Sequence, residues 1–402
     1  MIKALRGMKD FLPPQSEKLE YFINSSANIA KRFGFLPIET PILEETSLFK
    51  RSVGESSDIV GKEMYQFTDK GGNDVCLRPE GTAGVVRSFI ENKLDKKGGV
   101  YRFYYFGPMF RYERPQKGRL REFHQFGVEV FGQESVLEDV NVIALAKEIL
   151  DFFDISYSLK INSLGCKKCM PSYRDDLVRF LKDIEDGLCE DCQRRIITNP
   201  IRVYDCKNAS CQNLLKNGPR ITDSLCKVCD EDFQTLTSML DELNIEYEID
   251  RNLVRGLDYY TKTAFEFVSN QLGAQNAIAG GGRYDRLVEF LGGKSTPAVG
   301  FAIGVERILD LIKEPAKKRE GYYFAALTKE ALPTIMKEAF KQRKKDTVYI
   351  EYKVKSLKAH LKAADKLNAR FCAVIGEDEL KNGVIWIKDL ETRSEKFQKT
   401  GE

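Results

Sequence analysis

The chain has 402 residues, 42% of them hydrophobic, with 25 Phe and 17 Tyr; this supplies apolar side chains for two to three packed domains and excludes a disordered chain. No run of about 18 apolar residues occurs, so no membrane-spanning helix is expected, and only two His residues leave little material for His-based triads or His-ligated metal centres. The net charge of +3 announces no nucleic-acid partner by itself, yet it is uneven: residues 321–402 carry 17 Lys+Arg against 12 Asp+Glu, and residues 1–320 carry 46 against 48.

The opening MIKALRGMKDFLPPQSEK has no apolar stretch and includes Asp10 and Glu17, which argues against a secretory signal and for a cytoplasmic protein. Apolar residues at helical spacing predict a helix over Ser16–Phe33, ended by Gly34. Pro37 and Pro41 then forbid its continuation, so GFLPIETPILEE reads as extended. Leu77–Ala83, LRPEGTA, sets a carboxylate and a hydroxyl two residues apart, at Glu80 and Thr82.

Gly107–Val130, GPMFRYERPQKGRLREFHQFGVEV, is the most informative stretch. Phe110 and Tyr112 alternate with Arg111 and Glu113, and Phe126, Val128 and Val130 alternate with Gln125, Gly127 and Glu129. Period-two alternation predicts two strands, each with one packed and one open face. The link Arg114–Arg121 holds a Pro, a Gly and four cations, among them Arg119 and Arg121, and reads as a mobile hairpin tip. Gln125 and Glu129 share a face, with Gly127 leaving a slot free of side chains between them. Most polar hairpin faces are simply wet. Here an Arg–Glu pair on the strand and a cationic tip point to phosphate instead.

A helix is predicted over residues 138–155 and a strand around Ile155–Ser163. From Gly165 to Cys229 the chain is polar, helical over Tyr173–Asp183, and holds eight of the ten cysteines. They form four close pairs: Cys166 with Cys169, Cys189 with Cys192, Cys206 with Cys211, and Cys226 with Cys229. In a reducing compartment such pairs read as zinc ligands rather than disulfides, with free thiols as the alternative. Two pairs make one tetrahedral site, so one or two sites would staple an insertion whose core is too small to hold itself.

Strands and glycines resume at Tyr247–Val268 and Ala277–Arg283, and Phe301–Ile312 closes the body. Leu253–Tyr260, LVRGLDYY, gathers Arg255, Asp258, Tyr259 and Tyr260 around a glycine. Arg255 suits a carboxylate, and either tyrosine suits an imidazole. Ala279–Asp285, AGGGRYD, has three consecutive glycines but neither dinucleotide-loop nor P-loop spacing. In AVGFAIGVERIL a strand enters a helix that opens with Glu306 and Arg307, a place where a cation can meet polyphosphate. After the charged Lys313–Glu320, strands at Tyr322–Leu327, Thr347–Tyr352, Phe371–Ile375 and Val384–Ile387 alternate with helices at Leu332–Gln342 and Leu357–Leu367.

These segments together resemble the histidyl-tRNA synthetase family, bacterial type, within the class II aminoacyl-tRNA synthetases. GFLPIETPILEE is similar to motif 1, the Gly107–Val130 hairpin to motif 2, AVGFAIGVERIL to motif 3, and LVRGLDYY and AGGGRYD to the two histidyl signatures. CAVIGEDELKNGVIWIKDLET resembles the anticodon-binding domain, somewhat shortened. The resemblance implies an α+β fold: an antiparallel catalytic sheet with flanking helices over residues 1–164 and 231–320, a Cys-rich insertion over 165–230, and an α/β anticodon-binding domain over 321–402. It implies a ligase that activates L-histidine with ATP and Mg²⁺ and passes it from the adenylate to histidine tRNA. Arg111 would hold the α-phosphate, Arg307 the γ-phosphate, and Glu113 and Arg119 other parts of ATP; Arg111, Arg255 and Arg307 would be catalytic. Glu80 and Thr82 would bind the α-ammonium with help from Gln125, and Arg255 the carboxylate. Glu129 would face the imidazole, with Tyr259, Tyr260 and Tyr284 lining the pocket. Gln116 and Arg121 would touch the acceptor end of tRNA, and Pro41 would lie at a homodimer interface. The cysteine pairs depart from the family's general pattern. The rival reading is a non-catalytic, histidine-binding regulatory paralogue of a biosynthetic enzyme.

Overall fold

A computed structural model of the chain describes residues 2–54, 57, 59–116, 118–254, 257, 259–272, 276–313 and 318–401. Arg255, Gly256 and Asp258 of LVRGLDYY lie outside the described residues. The chain divides into two compact units, Met1–Lys313 and Glu314–Glu402.

The first unit is built on an eight-stranded sheet. Its strands in chain order are β1 (Leu36–Pro37), β2 (Tyr101–Phe110), β3 (Glu122–Phe131), β4 (Ser158–Ser163), β5 (Glu248–Ile249), β6 (Thr261–Val268), β7 (Ala277–Arg283) and β8 (Ala298–Gly304). Across the sheet they run β1-β2-β3-β8-β7-β6-β4-β5. Only the two edge pairs, β1 with β2 and β4 with β5, are parallel.

The central strands pack against helices on both faces. Phe126, Val128 and Val130 of β3 point into a cluster with Phe22 and Ile29 of helix α1 (Gln15–Arg32). Ile143 and Leu150 of helix α2 (Leu137–Phe152) join it. Phe131, on the opposite face, stacks on Phe89 of the helix Thr82–Glu91 at 4.3 Å between ring centroids. Arg283 at the end of β7 is buried in an ion pair with Asp139 of α2, with side chains 1% and 0% exposed. This pair bolts sheet to helix.

Two expectations about the hairpin are corrected. β2 starts earlier than the alternation suggested and stops at Phe110, so Arg111 and Glu113 lie just past the strand. Tyr112 is 54% exposed rather than packed, because no sheet face continues beneath it. Beyond the strand ends, backbone bonds of 3.0 and 2.9 Å pair Gln116 with Arg119. The extended segment after α1 pairs with the sheet over Leu36–Pro37, Ile38 donates to the Tyr104 carbonyl at 2.9 Å, and Leu43–Glu45 then joins a separate three-stranded sheet with Asp74–Leu77 and Tyr65–Thr68.

Between β4 and β5 the chain builds a helical insert: α3 (Met170–Asp183), α4 (Glu190–Thr198) and α5 (Ala209–Leu215), returning through α6 (Lys227–Glu242). Its apolar cluster is its own, with Tyr173, Leu177, Leu181, Ile196 and Leu215 packed among buried cysteines. The second unit is a five-stranded sheet with helices α7 (Leu332–Gln342) and α8 (Leu357–Lys366) and a short helix over Glu377–Lys381. Its strands β9 (Tyr322–Ala326), β10 (Val348–Glu351), β11 (Phe371–Ile375), β12 (Val384–Asp389) and β13 (Glu395–Lys399) run β10-β9-β11-β12-β13. β10 and β11 are parallel to β9, and the last two strands are antiparallel additions.

Candidate active site

A cavity of about 560 Å³ opens on the face of the first unit's sheet, floored by Ala279, Gly280, Ala302 and Gly304 of β7 and β8. Small floor residues leave room that larger side chains would fill. Two groups of polar side chains stand around it.

The first group is cationic. Arg307 opens the helix after β8; its Nε donates to the Gly118 carbonyl at 3.1 Å and its guanidinium also donates to the Ala277 carbonyl. Burial pushes the Arg307 pKa down, and the charges of Arg119 and Arg111 push the same way. Like charges converging in a partly dry site favour a polyanion between them. Arg119 pairs with Glu113, and Arg111 donates from Nε to the Pro79 carbonyl at 2.9 Å while lying 5.2 Å over the Phe123 ring.

The second group is a buried carboxyl network. Glu129 of β3 accepts from the Thr82 hydroxyl at 2.7 Å, the Tyr105 hydroxyl at 3.4 Å and the Tyr284 hydroxyl. Burial raises its pKa to about 8 despite these donors, and the nearby Glu80 adds to the rise. Glu80 is itself raised by burial, although the backbone N–H groups of Thr82 and Ala83 bind it at 2.6 and 2.9 Å. Two polar atoms here are buried without a partner among the described residues: the Tyr259 hydroxyl and the Gln125 Oε1. The Thr82 hydroxyl near Tyr259 is already committed to Glu129. Buried, unpaired polar atoms on a cavity wall call for a polar ligand. Arg111 belongs to both groups, since its charge acts on Arg307 on one side and on Glu80 on the other.

Of the residues singled out from sequence, Glu80, Thr82, Arg111, Glu113, Gln116, Arg119, Gln125, Tyr259, Tyr260 and Arg307 line this one cavity. Glu129 and Tyr284 stand behind its wall, tied to it through Thr82. Arg121 is not in the lining; it lies 3.9 Å over the Tyr112 ring and donates to the Glu113 carbonyl. Arg255 falls outside the described residues. The slot expected over Gly127 is filled. Tyr105 lies directly opposite in register, and its ring takes the space a Cβ on Gly127 would need. Tyr105 is the functional residue the sequence reading missed, and the glycine facing it across the ladder was the available signal. Glu306, next to Arg307, is engaged by His124, whose backbone N–H and Nδ1 lie within 2.8–3.0 Å of its carboxylate.

The cysteines collect into two groups of four, Cys166, Cys169, Cys226 and Cys229, and Cys189, Cys192, Cys206 and Cys211. Within each, all sulfurs lie within 4.8 Å of one another. Cys166 with Cys169, Cys166 with Cys226, and Cys189 with Cys206 are each 3.8 Å apart. Four thiolates about 2.3 Å from one tetrahedral ion stand about 3.8 Å apart, so both groups fit such an ion. Backbone N–H groups hold the Cys189 and Cys226 thiols down to about 7, chiefly those of Cys192 and Cys229.

Among the described residues no helix is long and apolar enough to cross a membrane. Residues 7–166 and 208–308 match the family model described as histidyl-tRNA synthetase, and residues 323–400 match that of the anticodon binding domain. The chain is 64% identical over 395 residues to the histidine–tRNA ligase of a Nitratiruptor species, covering 98% of this chain and 97% of that one. It is 61% identical over 396 residues to the histidine–tRNA ligase of Sulfurimonas denitrificans, covering 98% of both. Among solved structures it is similar to apo S. aureus histidyl-tRNA synthetase, at 35% identity and a TM-score of 0.83 over 99% of this chain and 97% of that one.

Proposed function

The chain belongs to the histidyl-tRNA synthetase family and is a histidine–tRNA ligase, and we propose that the cavity holds ATP against its arginines and histidine against its carboxyl network. The observation that carries this division is Arg111, whose charge reaches both groups. A guanidinium there suits the α-phosphate, the one atom group that must meet both substrates. A histidine carboxylate oxygen attacks the α-phosphorus, the new P–O bond forms as the bond to the β-phosphate breaks, and pyrophosphate leaves. Fixed cations stabilise the charge on the equatorial oxygens. The tRNA 3′ hydroxyl then displaces AMP from the carbonyl.

In this reading Arg307 and Arg119 hold the γ-phosphate end, and Glu113 the adenosine side. The family's use of ATP implies Mg²⁺, a hard cation that would neutralise charge on the leaving pyrophosphate; Glu266, which lines the cavity near Arg307, would supply an oxygen ligand. Glu80, Thr82 and Gln125 take the α-ammonium, and Arg255 takes the carboxylate. Glu129, backed by Tyr105 and Tyr284, meets the imidazole, with Tyr259 and Tyr260 as walls. Each Glu129 oxygen has two lone pairs, so its present partners leave room for a ring N–H. Gln116 and Arg121 at the hairpin tip meet the acceptor end of tRNA.

The cysteine groups hold structural zinc, and the protein works in the cytoplasm as a homodimer. Leu36, Ile42 and Leu43, which are 65%, 41% and 44% exposed beside Pro41, offer apolar surface for a second copy. No observation favours the regulatory alternative: the full-length relatives are named as ligases, and the cavity keeps Arg111 and Arg307. ATP–pyrophosphate exchange across the amino acids tests the activity. Exchange with histidine alone is expected; none with histidine, or exchange with another amino acid, would overturn it.

A further inference from the structure

The cysteines do not pair off in the order the chain delivers them. Cys166 and Cys169, met first, stand with Cys226 and Cys229, met last, and the other four close a second group between them. The outer group therefore sits at the neck of the insert, where the chain leaves β4 and where α6 carries it back. The inner group lies wholly within the insert. We infer that the chain carries two zinc ions in nested sites, and that the outer ion positions residues 251–254 and 259–262, which border the histidine pocket. This rests on the thiols being zinc ligands and on those residues serving histidine.

Both sites are built alike. Cys189 and Cys226 occupy the cap positions of α4 and α6, and Cys192 and Cys229 follow in the first turns. Helix starts carry free N–H groups and positive potential, which favour thiolate. Backbone N–H groups also point at sulfur in each site, from Cys226 to Cys169 at 3.1 Å and from Cys189 to Cys211 at 3.3 Å. Four thiolates and one Zn²⁺ sum to −2. The exposed Lys167, Lys168 and Lys227 beside the outer cysteines, and Lys207 beside the inner ones, oppose that charge. The 3.8 Å sulfur separations are far beyond a disulfide bond of about 2.05 Å.

The neck is fastened to the pocket wall from both limbs. Gly165, next to Cys166, accepts from the Lys262 backbone N–H at 2.7 Å, and the Lys262 carbonyl accepts from Leu164 at 2.6 Å. The Lys262 Nζ reaches Asp232, three residues beyond Cys229, at 2.9 Å. Tyr259 and Tyr260 lie immediately before these bonds. Upstream, Asn162 donates to the Leu253 carbonyl at 2.9 Å and Arg251 to the Thr222 hydroxyl at 2.8 Å. Val254, Leu257 and Tyr260 share a cavity of about 180 Å³ with Met170, Tyr173 and Ile221 of the insert. The inner group borders the pocket as well, since Asp205, next to Cys206, lines the main cavity and Ile201 and Arg202 line the smaller one, but the backbone bonds to Lys262 are made at the outer group.

Zinc content and native mass of the full-length protein test the sites. Two zinc ions per chain are expected, falling to one in Cys226→Ser/Cys229→Ser and to one in Cys189→Ser/Cys192→Ser. Zero or one in the unmodified chain, or a mass lowered by disulfide formation, overturns the assignment. In ATP–pyrophosphate exchange, the outer-site variant is expected to raise the KM for histidine about tenfold with the KM for ATP unchanged, as a displaced pocket wall would. The inner-site variant should change the histidine KM less than the outer-site variant does. An unmoved histidine KM in an outer-site variant that has lost one zinc, or an equal change in both variants, overturns the positioning role. No histidine-dependent exchange by the unmodified chain would overturn the ligase reading and the positioning role, while the zinc count stands or falls on its own measurement. If the outer-site variant fails to fold, hydrogen exchange on the intact holoenzyme before and after chelation decides. Lost protection over residues 251–263 is expected, and unchanged protection there overturns the role.

Discussion

Glu129 is a carboxyl that folding makes harder to ionise, with its pKa raised by burial from 4.5 to about 8. Below about pH 4.5 it is protonated whether the chain is folded or not. Between there and about pH 8 only the folded chain keeps the proton, so the group's contribution to stability is lost as pH rises through that window. Thermal unfolding of the unmodified protein should therefore fall more steeply from pH 5.5 to 8 than that of Glu129→Gln. Parallel slopes would show that Glu129 ionises normally. The charged and titratable neighbours it faces are Glu80, Tyr105, Tyr259 and Tyr284, all retained in the variant. Glu129 and Gln125 were legible in the sequence because polar side chains alternate with an apolar run there, and Thr82 only through the family resemblance of LRPEGTA. Tyr105 was not, because an aromatic residue in a strand reads as core until its cross-strand partner is known to be Gly127.

At the scale of elements, the sheet holds its shape through contacts distant in sequence. Arg283 donates from Nε and Nη to Asp139, 144 residues away, and to the carbonyls of Gln133 and Ser135. Removing one partner of so buried a pair strands the other charge. Arg283→Ala should lower stability by about 3–5 kcal/mol in urea unfolding; a loss under about 1 kcal/mol would mean the pair is solvated. Nothing in AGGGRYD told Arg283 apart from a pocket residue, since the difference lies in which way β7 faces. The helices α1, α7 and α8 were readable from 3.6-residue spacing. β13 was not, because all five of its residues are exposed and no alternation marks it. The hairpin was readable as two strands, but the end of β2 depends on where its partner stops.

For the whole molecule, the basic excess of residues 321–402 falls in the anticodon-binding match. Lys341, Arg343, Lys344 and Lys345 cluster at the end of α7 and just beyond it. Neutralising all four should raise the KM for tRNA and flatten its salt dependence, because fewer counterions are released on binding. Histidine-dependent pyrophosphate exchange, which needs no tRNA, should be unchanged; a matching loss there would place these cations elsewhere in function. The family and its anticodon domain were legible from motifs spread over the chain. The nesting of the cysteine groups was not, because pair spacing says nothing about which pair meets which.

The division of one cavity between two substrates is tested most directly by the Michaelis constants of two variants in ATP–pyrophosphate exchange. Glu129→Gln should raise the KM for histidine about tenfold or more and leave that for ATP nearly unchanged, and Arg307→Ala should do the reverse. If each variant shifted both constants alike, the arginines and the carboxyl network would not be serving different substrates, and the assignment of the cavity would fail.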